Sequence, residues 1–490
     1  MRQRFGARDR YDAVIVGSGP NGLSAALVLA RAGLSTLVIE AKSAPGGGAR
    51  TEELTLPGYQ HDVCSTVHPL GIASPFFRSL DLAAKGVTWC DPPLALAHVL
   101  RDGRAVTLER SVAGTARGLG EDENAYLELM SPWVARGDEL LREILGPLRL
   151  PRSPLLLGSF GLVALGSLEG VARRHFAREP ARALLAGMGA HAMQPLHAPA
   201  TAAFGLVLGL SAHLAGWPVA RGGSQAITNA LVSLLQELGG ELSLGRAVDS
   251  LDELPEARAY LFDVTPRQLL HLAGPALPDG YRQRLRKFRY GPGVFKMDWA
   301  LSGPVPWLDP ACARAATVHL SGDLADVAES EAAVSRGHLS QRPFVIFVQP
   351  SLFDPTRAPA GCHTAWAYCH VPIGSSLDAS ALIEQQVERF APGFGKLVLS
   401  RSSADAQALE RYNANYVGGD INGGSALLSQ LFTRPVARLD PYSTPNPKLF
   451  LCSSSTPPGG GVHGMCGYWA AQSALRRVFA LRAPARDDLS

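Results

Sequence analysis

The chain of 490 residues is long enough for two or three domains' worth of core. Hydrophobic residues make up 46% and charged residues 18%, which excludes a disordered chain, and a net charge of +3 lacks the basic surplus of a nucleic-acid binder. The seven cysteines are scattered with no CxxC pair, so neither a disulfide framework nor a zinc site is expected and a reducing cytoplasm fits better.

The basic start, MRQRFGARDR, has no apolar core behind it, so a short solvated arm is expected rather than a signal peptide. Residues 12–17, DAVIVG, form a short apolar run ending in glycine, the pattern of a buried parallel strand. A glycine turn follows, then helical spacing over 23–32, a stop at Gly33 and a second strand over 37–40, which together make one βαβ unit. Two apolar stretches, 155–168 and 199–219, are interrupted by glycine and polar residues and read as buried core helices. Peripheral contact with a membrane is the alternative for them.

A helix is expected over 226–238, with strands over 241–244, 259–264, 293–301 and 449–453 and a last helix from about 464 to 479. Dinucleotide-type elements therefore occur at the start, middle and end of the chain. The expected class is α/β: a discontinuous Rossmann-like domain (1–70, 216–300 and 439–490) carrying an inserted α+β substrate domain (71–215 and 301–438). No repeat of solenoid period is present.

Gly17-Ser18-Gly19-Pro20-Asn21-Gly22 is a GxGxxG turn between a strand and a helix. Gly17 permits the turn, Gly19 lets a diphosphate approach the backbone, and Gly22 lets helix and sheet pack closely. The helix start offers N–H groups and the positive end of its dipole to phosphate. Glu40, ending the next strand, is placed to accept hydrogen bonds from a ribose diol. The following loop, Pro45-Gly46-Gly47-Gly48-Ala49-Arg50-Thr51, supplies a second backbone approach that a nicotinamide cofactor does not need, and Arg50 offers charge to the diphosphate or to nearby carboxylates. No second GxGxxG follows a strand, so FAD is expected without a separate NAD(P)H domain. Near the end, Pro458-Gly459-Gly460-Gly461-Val462-His463-Gly464 joins a strand to a helix, with room for a flat group against the backbone and a helix start behind it to stabilise negative charge.

These segments resemble the flavin-dependent desaturases and isomerases of carotenoid biosynthesis, a family that extends to retinol saturase and the pyridine nucleotide-disulphide oxidoreductase domain-containing protein 2 group. The likeness is carried by DAVIVGSGPNGLSAALVLARAG, VIEA, GGGARTEE, GYQHDVCSTVHP, RGGSQAITNAL, GPGVFKMDWAL, GGDINGGS and PGGGVHGMCGYWAAQSAL, and it looks closer to the last-named group than to phytoene desaturases. It implies a monoamine-oxidase-like fold and non-covalent FAD held by Gly17, Gly19, Pro20, Asn21, Gly22, Glu40, Ala41, Gly47, Gly48, Arg50 and Thr51. Val248 would meet the adenine end, and Gly460, Gly461, Val462 and His463 the flavin end. Ser453 and Pro457 depart from the family's usual glycine and histidine, and 247–261 is short for the usual hairpin. These departures leave the substrate class open.

Hydride transfer to a flavin needs a dry, oriented substrate more than a side-chain acid. The candidate catalytic residues are Lys296, which resembles the lysine that holds a water beside the flavin in the amine-oxidase fold, His463 in the glycine loop, and His68. Tyr468 and Trp469 fit helix packing better than a substrate wall, and His191 with His197 lacks the spacing of a metal pair. The expected activity is FAD-dependent oxidation, reduction or isomerisation at a carbon–carbon bond of an apolar isoprenoid- or lipid-like molecule, in the cytoplasm and with possible membrane association. The alternatives are an amine or amino-acid oxidase releasing hydrogen peroxide, which Lys296 keeps open, and a flavin-bearing interaction protein without catalysis.

Overall fold

In a computed structural model the described residues are 5–481, so the first four residues of the basic arm lie outside them. Five strands form one parallel sheet in the order Leu449–Leu451, Glu256–Phe262, Arg10–Val16, Thr36–Ile39, Glu241–Ser243. Ile15 pairs with Leu261 on one side and Val38 on the other, and all three side chains are fully buried. Such strands are covered on both faces, which is why they read as unbroken apolar runs. The first helix, Pro20–Arg31, crosses over this sheet, and the last, Met465–Ala474, packs on it so closely that a Cβ on Gly467 would stand 1.8 Å from the Asn21 carbonyl. That glycine brings the two ends of the chain together.

A seven-stranded mixed sheet forms the second body, in the order Val398–Ala404, Gly293–Leu301, His363–Val371, Val345–Val348, Ala315–Leu320, Leu94–Val99, Ala105–Leu108. Gly293–Leu301, grouped by sequence with the dinucleotide segments, pairs antiparallel with His363–Val371 and belongs here instead. Its nine residues are all buried, so local pattern carries no sign of which sheet it joins.

Of the helices between residues 112 and 215, Val112–Gly118 and Glu179–Gly189 pack on this sheet and the others largely on one another. Thr201–Ala215 is largely buried, as expected. The earlier apolar stretch is not: Pro154–Ala164 buries only Leu156, Phe160 and Ala164, while Leu155 and Leu162 are each 86% exposed. The helix is apolar all round, so its composition alone does not reveal that one face is open.

Candidate functional site: a cavity joining two glycine turns

The turn after Arg10–Val16 is held by Glu40. One carboxylate oxygen accepts from the Ser18 amide (2.9 Å) and hydroxyl (2.7 Å), and the other from the Lys42 amide (3.0 Å) and from Arg50 (3.1 Å). Arg50 thus serves the neighbouring carboxylate. A Cβ on Gly22 would fall 2.1 Å from the Gly17 carbonyl, and Gly47 backs onto Gly19 with a Cβ distance of 3.0 Å to its Cα. Both glycine clusters therefore meet backbone to backbone. The first helix has no side-chain cap from Gly19, and Asn21 Oδ1 beside its start is buried without a partner.

The C-terminal loop faces the same space. Asn21 Nδ2 donates to Ser454 Oγ at 3.5 Å, and Gly460, Gly461, Val462 and His463 line a cavity of about 1200 Å³ together with Gly19, Pro20, Asn21, Gly47 and Gly48. Arg434, buried beneath the loop, donates to the carbonyls of Ser454 (3.2 Å) and Ser425 (2.9 Å). Asp420 accepts the amides of Gly291 (2.7 Å) and Asn422 (2.8 Å), which fixes the GGDINGGS segment alongside. Ser453, also on the cavity lining, donates its hydroxyl to the Val264 carbonyl at 2.7 Å.

Of the other expected cofactor residues, Gly17, Gly22, Glu40, Arg50 and Thr51 stand behind the lining rather than on it. Thr51 donates to Asp62 at 2.7 Å. Ala41 is exposed, and Val248 packs on the core group that contains Ile39. Among the catalytic candidates, His68 and His463 border the cavity, and burial lowers each to about 4, so both are neutral. His68 Nε2 meets Ser224 Oγ at 2.9 Å. His463 Nδ1 accepts the Met465 amide at 3.0 Å, which leaves its proton on Nε2. Lys296 is buried but does not border the cavity: its Nζ lies 2.5 Å from Asp298, behind Trp366. Tyr468 and Trp469 pack between helices, the Trp469 indole donating to the Leu145 carbonyl at 3.0 Å.

Sequence reasoning missed several residues here and weighed His191 only as half of a metal pair. His191 lines the cavity with its Nε2 3.2 Å from His319 Nε2, and Trp366 and Tyr368, two apart on one strand face, wall it with parallel rings 5.8 Å between centroids. Asp263 closes the glycine turn by accepting the Gly22 amide at 2.9 Å. Arg357, fully buried, holds Asp62 (2.9 Å) and Asp354 (2.7 Å), and Asp62 in turn accepts the Ser224 amide (2.8 Å). This network ties GYQHD to RGGS and so positions His68.

The residues present fit a dinucleotide: an uncapped helix start with an orphaned polar atom, two turns where a Cβ would clash, and an acid at the end of the second strand. Fold and site together define a dinucleotide-dependent oxidoreductase. Residues 15–81 match the NAD(P)-binding Rossmann-like domain. Along 96% of its length the chain is similar, at 28% identity, to pyridine nucleotide-disulfide oxidoreductase domain-containing protein 2 of Rattus norvegicus, 94% of which is covered. Over 26% of the chain it is 33% identical to a limonene dehydrogenase polypeptide of Castellaniella defragrans, covering 24% of that protein. Its fold is similar to that of an oxidoreductase from Methanosarcina mazei (TM-score 0.66, 15% identity, 95% of this chain and 99% of that one). It is also similar to that of putrescine oxidase (TM-score 0.61, 16% identity, 96% and 99%).

Proposed function

We propose that the protein holds FAD non-covalently and oxidises, reduces or isomerises a carbon–carbon bond of an apolar, isoprenoid- or lipid-like substrate. The observation that carries this reading is the continuity of the cavity. One end is the pair of glycine turns; the rest is walled by Leu157, Phe160, Val207, Leu208, Trp217, Ile346 and Val348 and reaches the exposed Leu148 and Leu162, which we take as its mouth. Bound there, FAD supplies hydride acceptance or donation. The protein's part is to exclude water, to present the substrate between Trp366, Tyr368 and the C-terminal glycine loop, and to offer the Nε2 proton of His463 at that loop. Buried apolar area supplies the binding energy, roughly 25 cal/mol per Å². The relative named for limonene, an apolar isoprenoid, points the same way over the part of the chain it matches.

An ammonium substrate is less well served. Among the described lining residues the carboxylates are Glu143, tied to the Arg152 amide at 2.7 Å, and Asp263 at the glycine turn. Anaerobic stopped-flow bleaching of the bound flavin against polyenes, monoterpenes, fatty acids and amines tests the reading. Bleaching by an apolar alkene supports it. Bleaching by amines with peroxide release in air replaces it with an amine oxidase, and a flavin that only dithionite reduces points to a non-catalytic role.

The cavity mouth suits a bilayer as the source of such a substrate. Leu148 and Leu162, which line the cavity, are 70% and 86% exposed, and Leu150 and Leu155, near them in sequence, are 93% and 86% exposed. No acidic residue occurs between Glu143 and Glu169, and exposed Arg142 and Arg152 flank this stretch, in a cleft that Arg136, Asp138, Glu139 and Glu143 also line. Leucines flanked by arginines match an anionic lipid surface. No single helix among the described residues is long and apolar enough to cross a membrane; Pro154–Ala164 and Leu168–His175 are so only together, with a 97° bend between them. The contact proposed is peripheral.

A further inference from the structure

The carboxylate of Asp263 stands where the glycine turn is built to receive negative charge. It follows the strand Glu256–Phe262, is buried, and its Oδ2 takes the Gly22 amide at the start of the first helix. A Cβ on Gly19 would lie 2.6 Å from that same oxygen, so the carboxylate and the turn face each other with no side chain between them. The titratable groups around it are Glu40 at the end of Thr36–Ile39, Cys452 beside Leu449–Leu451, and Cys466 in the last helix. Arg50 is engaged by Glu40. Asn415 Nδ2 donates to the Asp263 carbonyl at 3.0 Å and leaves the carboxylate to the turn.

A carboxylate and a diphosphate cannot both be ionised over one turn in a water-poor site, because like charges at close range raise each other's proton affinity. We propose that Asp263 is a proton-coupled member of the dinucleotide site, which accepts the cofactor's diphosphate only when Asp263 is neutral, so that binding to protein with Asp263 ionised brings one proton in. The proposal rests on the FAD reading above. The step is a protonation alone: carboxylate and one solvent proton give the carboxylic acid, with no bond to the cofactor made or broken. The acid has an O–H to donate where the carboxylate had only lone pairs.

The chemistry is poised for this. Burial, aided by the charge of Glu40, takes Asp263 up to about 7 before any phosphate arrives. The other shifted groups nearby are out of range: burial holds His68 and His463 down at about 4 and His191 at about 3, and pushes Cys466 up to about 12. Near neutral pH the proton therefore goes to Asp263.

Calorimetric titration of the apoprotein with FAD at pH about 6, 7, 8 and 9, in buffers of different ionisation heat, counts the protons. Above pH ~7 uptake should approach one per FAD and Kd should rise about tenfold per pH unit. Asp263→Asn, whose amide is neutral and of the same shape, should bind at the wild type's acidic-limb affinity, with no uptake and a Kd flat in pH. Wild-type protein with no proton uptake and a flat Kd overturns the proposal, and so does an Asp263→Asn protein that still takes up the proton. Loss of affinity by more than about tenfold in Asp263→Asn at pH ~6 also overturns it, because it makes Asp263 an anionic acceptor. If the variant does not fold, the wild-type proton count decides alone. Absence of FAD affinity at every pH removes the cofactor assignment itself, and this proposal with it.

Discussion

The two ends of the cavity are built on opposite rules. At the turn end side chains are missing where backbone must touch backbone, and buried polar groups from distant segments hold the geometry: Glu40 on Ser18, Asp263 on Gly22, Arg434 on Ser454. At the mouth end large apolar side chains are exposed. The first arrangement recognises one chemical object by position, whereas the second accepts apolar bulk. An enzyme that keeps its cofactor and exchanges its substrate needs this division, and changes at the two ends should separate cofactor retention from access.

The largest effect should come from the network that joins the ends. Arg357→Met leaves Asp62 and Asp354 buried together without their cation, and breaking a buried pair in this way costs about 3–5 kcal/mol. Urea denaturation should show that loss, and FAD retention should fall with it because Asp62 also anchors Thr51 and Ser224. A variant as stable as the wild type would mean that the ends are organised independently.

Next, Glu40→Ala removes the acceptor for two bonds from Ser18 and one from Arg50. Charge-assisted hydrogen bonds are worth about 1.5–3 kcal/mol. FAD affinity, read by flavin fluorescence, should weaken correspondingly while bilayer contact stays as it was. Unchanged FAD occupancy would remove Glu40 from the cofactor's support.

This contrast also explains what the sequence made legible. The turn at 17–22, Glu40, the second glycine cluster and the loop at 458–464 are local patterns, each forced by backbone geometry within a few residues. Asp263 meets Gly22 across 241 positions and Arg357 meets Asp62 across 295, and nothing near either residue announces the partner. An aspartate closing the apolar run LFD was the one available hint. Lys296 stood out as a lysine in an apolar strand, yet its partner Asp298 is two residues away on the same face, and the pair needs no cofactor to account for its burial. The exposure of Pro154–Ala164 was illegible for the converse reason: an all-apolar helix looks the same whether protein or something else covers it.

A graded effect, spread over several pH units, should follow acidification. Burial lowers His68, His98 and His463 to about 4 and His191 to about 3, below the value of about 6.5 in an unfolded chain. The folded state keeps them neutral, so the stability they contribute is complete above pH 6.5 and is lost as pH falls from there towards 4. Each histidine loses up to about 1.4 kcal/mol per pH unit. Asp263, raised to about 7, runs the other way and favours the folded state at lower pH, but it is one group against four. The Tm of the apoprotein should therefore drop between pH about 6.5 and 4, and a flat or rising Tm would contradict the buried, neutral histidines.

The smallest effect on the fold, and the sharpest on the comparison, is expected at the mouth. Leu155 and Leu162 make few contacts to lose, so Leu155→Glu with Leu162→Glu should change stability by no more than about 0.5 kcal/mol per site, and FAD affinity not at all. Transfer of a leucine side chain out of water is worth roughly 1.5–3 kcal/mol, and the two new charges would repel the anionic lipid that Arg142 and Arg152 attract. Co-sedimentation with anionic vesicles should therefore be lost in the double variant and should weaken with salt in the wild type, while neutral vesicles bind less of either protein. A double variant that still binds anionic vesicles would place the contact elsewhere on the surface, and a wild type that ignores vesicles altogether would leave the open leucines to a protein partner or a second copy.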